Sequence, residues 1–161
     1  MIKMAKATSP FTREEVRAWR GLLAVWNFGF PEIERSLRPF GIIHIEYGIL
    51  SVLSLEPERS MSLGRLAKLA GVNPSRLTAR IQPLIEKGLI VRNQSAEDGR
   101  SFEVRLTADG VNFVEKISPS HIRSVREVFF SALDEEEVNQ LGAILQKWSA
   151  TITDDEWWQS E

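Results

Sequence analysis

The stretch from Ser62 to Gly110 constrains this chain most. It reads as two short helices, a strand, a charged loop, a second strand and the start of another helix. Ser62 is placed to cap the first helix, because its hydroxyl can accept a free backbone N–H of the first turn. Leu63, Leu66, Ala67 and Ala70 recur at helical spacing, and Gly71 stops the helix. Asn73 is a second N-cap, and Pro74 suits the first helical position because its φ is already fixed there. This second helix is expected from about Pro74 to Lys87, with Gly88 ending it. Leu77, Ile81, Leu84 and Ile85 form its apolar stripe, and the opposite face carries Ser75, Arg76, Thr78, Ala79, Arg80 and Gln82. Such side chains suit a helix lying in a DNA major groove. Arg can pair bidentately with guanine and Gln with adenine, while Ser and Thr reach phosphates or bases.

A plain helical hairpin with a solvated polar face would look the same over those residues alone. The next segment separates the two readings. Leu89 to Arg92 and the alternating Phe102-Glu103-Val104-Arg105-Leu106 read as strands. The polar run Asn93 to Ser101 joins them, with Asp98-Gly99-Arg100 at the turn. An Arg at a hairpin tip can set a cation in a narrow minor groove or on phosphate.

In this order and spacing the pieces resemble the MarR family of bacterial winged-helix regulators. The resemblance rests on Leu66-Ala67 with Gly71-Val72, on Asn73-Pro74-Ser75-Arg76-Leu77-Thr78, and on Pro83-Leu84-Ile85-Glu86-Lys87-Gly88-Leu89-Ile90. It extends to Glu97-Asp98-Gly99-Arg100 and Leu106-Thr107-Ala108-Asp109-Gly110. It implies a mainly α fold with a small β wing (α+β), a winged helix-turn-helix carrying N- and C-terminal dimerisation helices. It also implies an obligate homodimer on a pseudo-palindromic double-stranded DNA operator, with Arg100 at the wing tip and Asp98 orienting the wing. Ser62, Asn73, Ser75, Arg76, Thr78, Ala79, Arg80, Gln82, Asp98 and Arg100 are the DNA-binding candidates. Pro83 removes one helix hydrogen bond and is expected as a tolerated bend.

On either side of this stretch the chain reads as helical. Thr12 to Glu15 is a T-x-x-E capping box. Val16, Trp19, Leu22, Leu23, Trp26, Phe30, Ile33 and Leu37 then give a long stripe to about Arg38, with Pro31 placed to bend it. Pro39-Phe40-Gly41 breaks the helix, and another starts at Ile43 or His44 and runs to about Leu55. Ser60-Met61 is a candidate third strand. From Gly110 the apolar spacing reaches Leu133 as one helix, with Ser118-Pro119 placed to kink it. Asp134 to Glu137 start the last helix, where carboxylates favour the N-terminus. Its stripe is Leu141, Ile144, Leu145 and Trp148, and the tail Asp154-Asp155-Glu156-Trp157-Trp158 either frays or docks on a partner. The expected division is one MarR-like domain over 1–161. Within it, 12–38 and 110–150 are dimerisation helices, 43–107 is the DNA-binding lobe and 151–161 is the acidic tail. Periodicity shows burial but not against what, so a core helix in a monomer stays open beside the dimer.

Net charge is −2, which looks wrong for a DNA binder until it is divided. Residues 59–107 hold nine Lys/Arg against four Asp/Glu, while residues 132–161 hold one against eight. The basic charge is therefore concentrated on the candidate DNA-binding lobe, and the acidic end is expected away from DNA. There is no cysteine, which excludes disulfides, thiolate catalysis, thiol redox sensing and Cys-based zinc sites. The only imidazoles, His44 and His121, are far apart in sequence, so no metal or cofactor is expected, although a site shared across a dimer stays open. No apolar run reaches transmembrane length and no secretory h-region precedes the first helix, so a cytoplasmic location is expected.

Three functions are open at this stage. The first is a homodimeric transcription regulator, acting as a repressor. A small aromatic effector would bind it between helices, with Trp19, Trp26, Phe30, His44 and Tyr47 as candidate contacts. The second is a winged-helix protein–protein module without DNA binding. The third, an enzyme, has little behind it: no Gly-rich phosphate loop, G-x-S-x-G elbow or H-E-x-x-H is present.

Overall fold

The order of elements follows from local signals that each act over a few residues. In the computed structural model, which describes residues 10–70, 72–94 and 102–153, the order is α1 (Arg13–Ala24), a π-helical turn (Val25–Gly29), α2 (Phe30–Leu37), a 3-10 turn (Arg38–Phe40) and α3 (His44–Leu55). Then come β1 (Ser60–Ser62), α4 (Leu63–Leu69), α5 (Pro74–Glu86), β2 (Ile90–Gln94), β3 (Phe102–Leu106), α6 (Ala108–Val125), a second π-helical turn (Arg126–Phe130) and α7 (Glu135–Ser149). The fold is mainly α with one small antiparallel sheet, in winged helix-turn-helix order. The chain divides into two compact units, Glu34–Arg123 and the pair of end segments Met1–Ile33 and Ser124–Glu161.

In the central unit the sheet order is β1-β3-β2, both pairings antiparallel, with Met61 opposite Val104 and Ile90 opposite Leu106. Side chains alternate between faces along a strand. That register puts Met61, Ile90, Val104 and Leu106 on the buried face and Arg105 on the other, while Arg92, opposite Val104, shares the face of Ile90 and is nonetheless exposed. Leu50, Leu53, Leu77, Ile81 and Leu84 are fully buried and join α3 to α5 beneath the sheet. Gly88 ends the run after α5 with φ +69, a left-handed conformation that a Cβ disfavours.

Thr107 ties the sheet to α6. Its hydroxyl accepts from Gly110 N at 2.9 Å, which caps α6, and donates to Gly88 O at 2.7 Å. Its N–H donates to Leu89 O at 3.0 Å. Gly110 needs to be glycine: a Cβ there would lie 2.1 Å from Leu89 O and 2.8 Å from Leu106 Cδ1.

In the unit built from the chain ends, Thr12 and Glu15 form the expected capping box, with bonds of 3.2 and 2.7 Å. The single long helix expected over 12–38 is interrupted by the π turn, not by a kink at Pro31. The Phe30 N–H reaches back five residues to Val25 O. Pro31 offers no N–H to the turn before it, and the widened turn sits directly upstream. The kink expected at Ser118-Pro119 is replaced too. Helix α6 continues through Pro119 to Val125, and the irregularity is the second π turn. Pro119 supplies no N–H to the carbonyl of Glu115, yet the helix runs on past it. The two π turns pack on each other: Phe30 and Phe129 meet edge to face at 5.4 Å, and Gly29 leaves room for Phe129 and Val128. Asp134 and Glu137 cap α7 reciprocally at 2.9 and 3.0 Å. Within one chain, α1, both π turns and α7 contain no buried residue. Trp19, Trp26, Ile144 and Trp148 stay 45–64% exposed. No helix among the described residues is long and apolar enough to cross a membrane.

Candidate nucleic-acid interface

Two caps set the entry to each helix of the helix-turn-helix. Ser62 Oγ accepts from Arg65 N at 3.2 Å. Asn73 Oδ1 accepts from Arg76 N and from Ser75 Oγ, both at 2.9 Å. Ser62 and Asn73 therefore act first as caps, whatever else they touch. Asn73→Ala is expected to cost about 1 kcal/mol of stability, the ordinary worth of such a cap. Chemical denaturation would show a lower midpoint with an unchanged slope.

The inner face of α5 is fixed by Leu77, Ile81 and Leu84, each 0% exposed. Fixing that face leaves Ser75, Arg76, Ala79, Arg80 and Gln82 exposed on the outer one, with Thr78 half-buried. Ile85, expected in the inner stripe, is only half-buried. Thr78 Oγ1 donates to Pro74 O at 2.9 Å, so its lone pairs and not its proton face outward. Gln82 Nε2 donates to Glu86 Oε1 at 3.0 Å. That pairing brings a carboxylate to the end of the outer face, which the sequence reading did not weigh. Arg76 and Arg80 are one turn apart, exposed, and without an ion pair among the described residues. Pro83 supplies no N–H to the carbonyl of Ala79, yet α5 continues to Glu86.

The remaining cations of the lobe divide by what they already hold. Arg65 makes a two-pronged pair with Glu56, both contacts at 3.0 Å, so it braces α4. Lys87 Nζ donates to Gly41 O, tying the end of α5 to the turn before α3. Arg105 donates to Glu58 O at 3.2 Å. Arg92 lies 3.9 Å over the Phe102 ring, a stacking that stiffens the base of the wing. Sequence reasoning passed over Arg92. The signal was hidden, because the pairing of Gln94 with Phe102 that brings the ring beside Arg92 falls in what reads as a polar loop from Asn93. Asp98 and Arg100 lie outside the described residues.

A sequence model of the MarR family matches residues 40–101. Over 142 residues the chain is 30% identical to the uncharacterized HTH-type transcriptional regulator YkoM of Bacillus subtilis, covering 85% of this chain and 90% of that one. AbsC, a MarR family transcriptional regulator from Streptomyces coelicolor, superimposes with a TM-score of 0.85 at 30% identity, over 90% of this chain and 98% of AbsC. This chain belongs to the MarR family. Another MarR family regulator from Streptomyces coelicolor, Sco3205, was solved in complex with DNA. It matches with a TM-score of 0.85 at 28% identity, over 92% of this chain and 97% of Sco3205.

The effector candidates of this MarR-family chain fall into two groups. Trp26 and Phe30 are in ring contact at 5.1 Å, and Trp19 is exposed two turns earlier. In the central unit, His44 is exposed and Tyr47 is buried. Tyr47 packs on His121 at 4.2 Å between ring centres, and His44 and His121 stand 6.0 Å apart. The pair of histidines that sequence separation kept apart is thus a neighbouring pair in space. Ser118 Oγ donates to Val114 O at 2.8 Å, so the Tyr47 hydroxyl donates to Ser118 at 3.2 Å. His121 Nδ1 is buried and has no hydrogen-bond partner among the described residues. No group of three or more metal-ligating side chains occurs among the described residues.

Burial, and secondarily the neighbouring His44, holds the His121 imidazole below its ordinary value of 6.5. The native state therefore takes up this proton less readily than the unfolded chain. Its stabilising contribution is complete above pH 6.5 and is lost as pH falls from there towards the lowered value. Melting temperature is expected to drop as pH falls below 6.5, and His121→Gln should flatten that part of the profile.

Proposed function

We propose that this MarR-family protein is a homodimeric, sequence-specific DNA-binding transcriptional regulator, and that it acts as a repressor in the cytoplasm. One observation carries the reading: a rigidly seated α5 presents Arg76, Ala79 and Arg80 outward over fully buried Leu77, Ile81 and Leu84. The DNA complex of Sco3205 supports it by likeness of fold and sequence. In the dimer, each α5 enters a major groove, and the two grooves are about 34 Å apart along the duplex. Arg76, Arg80 and Gln82 read bases, and Ser75, Thr78 and the cap residues Ser62 and Asn73 lie at the backbone. Arg100 at the wing tip, oriented by Asp98, reaches the minor groove or phosphate.

The homodimer is supported by the exposed stripes of α1 and α7. A single chain leaves Trp19, Trp26, Ile144 and Trp148 uncovered, and a second copy would bury them. Residues 12–38 and 110–150 are the proposed dimerisation helices. Bound across a promoter, such a dimer blocks transcription by occupying the site. A small aromatic effector contacting residues from among Trp19, Trp26, Phe30, His44 and Tyr47 would release it by favouring a different spacing of the two α5 helices. Fluorescence anisotropy on labelled duplexes at rising salt tests the DNA reading. Affinity is expected to fall steeply, with each phosphate contact adding about −0.9 to the log–log slope. Weak binding without a salt dependence would instead favour a winged-helix interaction module.

A further inference from the structure

Arg13, Arg17 and Arg20 fall on one face of α1, spaced four and three residues apart, and all are exposed. With Phe11, Thr12 and Val16 they line an open groove. None of the three is paired with a carboxylate among the described residues. The nearest acid in sequence with a fixed contact, Glu15, is committed to the Thr12 N–H. Phe11 is 71% exposed. The groove is thus a row of guanidiniums beside an uncovered aromatic ring. It is continuous with the apolar stripe, because Val16 belongs to both and the stripe runs on through Trp19, Leu23 and Trp26.

The chain contains one segment of matching chemistry. Residues 154–161 hold Asp154, Asp155, Glu156 and Glu161 with Trp157 and Trp158, and no Lys or Arg. Carboxylates pair with guanidinium forks, and indoles stack on guanidinium planes and on phenyl rings. We propose that the α1 groove of one subunit receives the acidic, tryptophan-bearing C-terminal segment 154–161 of the second copy. The proposal rests on the homodimer reading above. The second copy is the occupant for two reasons. Among the described residues, α1 contains no fully buried side chain, and its extended packing is with the π turn that continues it, not with α7. In the dimer reading, residues 110–150 of the second copy belong to the interface that covers Trp19 and Trp26, and residues 154–161 follow closely after them in the chain.

The absence of cysteine makes the test clean, since each introduced thiol is the only one in its chain. Subunits carrying R17C are exchanged with subunits carrying S160C and treated with a mild oxidant. The expected product is a covalent heterodimer on a non-reducing gel, reduced in yield when D154K/D155K/E156K is added to the S160C chain. In a second measurement, deleting residues 154–161 is expected to raise the dimer dissociation constant roughly tenfold at low salt and by a smaller factor at about 0.5 M salt, where the ion pairs are screened and the tryptophan contacts are not. A wild-type chain that sediments as a dimer, with no R17C–S160C product and no effect of the deletion, would overturn the docking and leave the dimer standing. A wild-type chain that sediments as a monomer would overturn the dimer reading itself. A disulfide formed only within chains carrying both cysteines would overturn the assignment to the second copy. If R13E/R17E/R20E weakens DNA binding and leaves dimerisation unchanged, the groove is a phosphate site and not a docking site.

Discussion

Arg80→Ala is expected to weaken operator binding by roughly 30-fold or more while leaving the fold intact. A bidentate Arg–guanine contact is worth about 1–3 kcal/mol of discrimination, and a dimer makes it twice, so about 2–6 kcal/mol is at stake. Arg80 is exposed and holds no ion pair among the described residues, so removing it should change stability by no more than about 0.5 kcal/mol. Arg80→Lys separates charge from geometry. Lysine keeps a point charge for the phosphates but loses the planar fork. Binding to random duplex DNA should survive in Arg80→Lys, with the preference for the operator reduced. Equal loss on both duplexes would mean that Arg80 touches only the backbone. Anisotropy titrations against operator and random duplexes read both quantities.

Gly110→Ala is expected to be the most damaging single methyl group that can be added to the central unit. Its Cβ would sit 2.1 Å from Leu89 O, and that carbonyl has little room to retreat. Leu89 O already accepts from Thr107 N at 3.0 Å and lies 3.1 Å from Thr107 Oγ1. Shifting it would loosen the clamp between β2 and α6. On the other side the Leu106 Cδ1 atom, 2.8 Å away, belongs to a side chain only 5% exposed. Overpacking of this kind typically costs about 1–3 kcal/mol, and a backbone neighbour puts the change at the top of that range or above. A melting temperature lower by about 5–10 °C is the expected reading. Gly48→Ala is the matched control. Gly48 lies within α3, a Cβ there meets nothing within 4 Å, and alanine favours helix, so little loss or a small gain is expected.

Much of this molecule is written in short-range signals, and those were legible in the sequence. Thr12 with Glu15, Ser62, Asn73 and Asp134 with Glu137 each cap a helix where their residue types require it. The alternation of Phe102 to Leu106 and the spacing of Leu77, Ile81 and Leu84 assign the wing and the outer face of α5, because burial follows period. Positions of irregular helix were less legible. Pro31 and Pro119 both signal bends by residue type, yet the irregular turns occur at Val25–Gly29 and Arg126–Phe130. Proline reports a missing donor, not where the chain adjusts for it, and Gly29 against Phe129 and Val128 is a long-range fit that no local pattern encodes. The same limit hid the His44–His121 pair and the Lys87–Gly41 tie, which join residues 77 and 46 positions apart. Charge was legible as a sum but not as availability. Of the cations in residues 59–107, Arg65, Lys87, Arg92 and Arg105 already hold contacts, and Arg76 and Arg80 stand clear.

Selection of bound sequences from a pool of random duplexes, at two salt concentrations, is the most direct measurement of the central claim. The expected result is an enriched pseudo-palindrome with half-sites about one helical turn apart. Its binding should weaken at the higher salt and fall sharply in Arg80→Ala and Arg100→Ala. Absence of any enriched sequence, together with binding that ignores salt, would contradict a DNA-reading dimer and leave a winged-helix interaction module in its place.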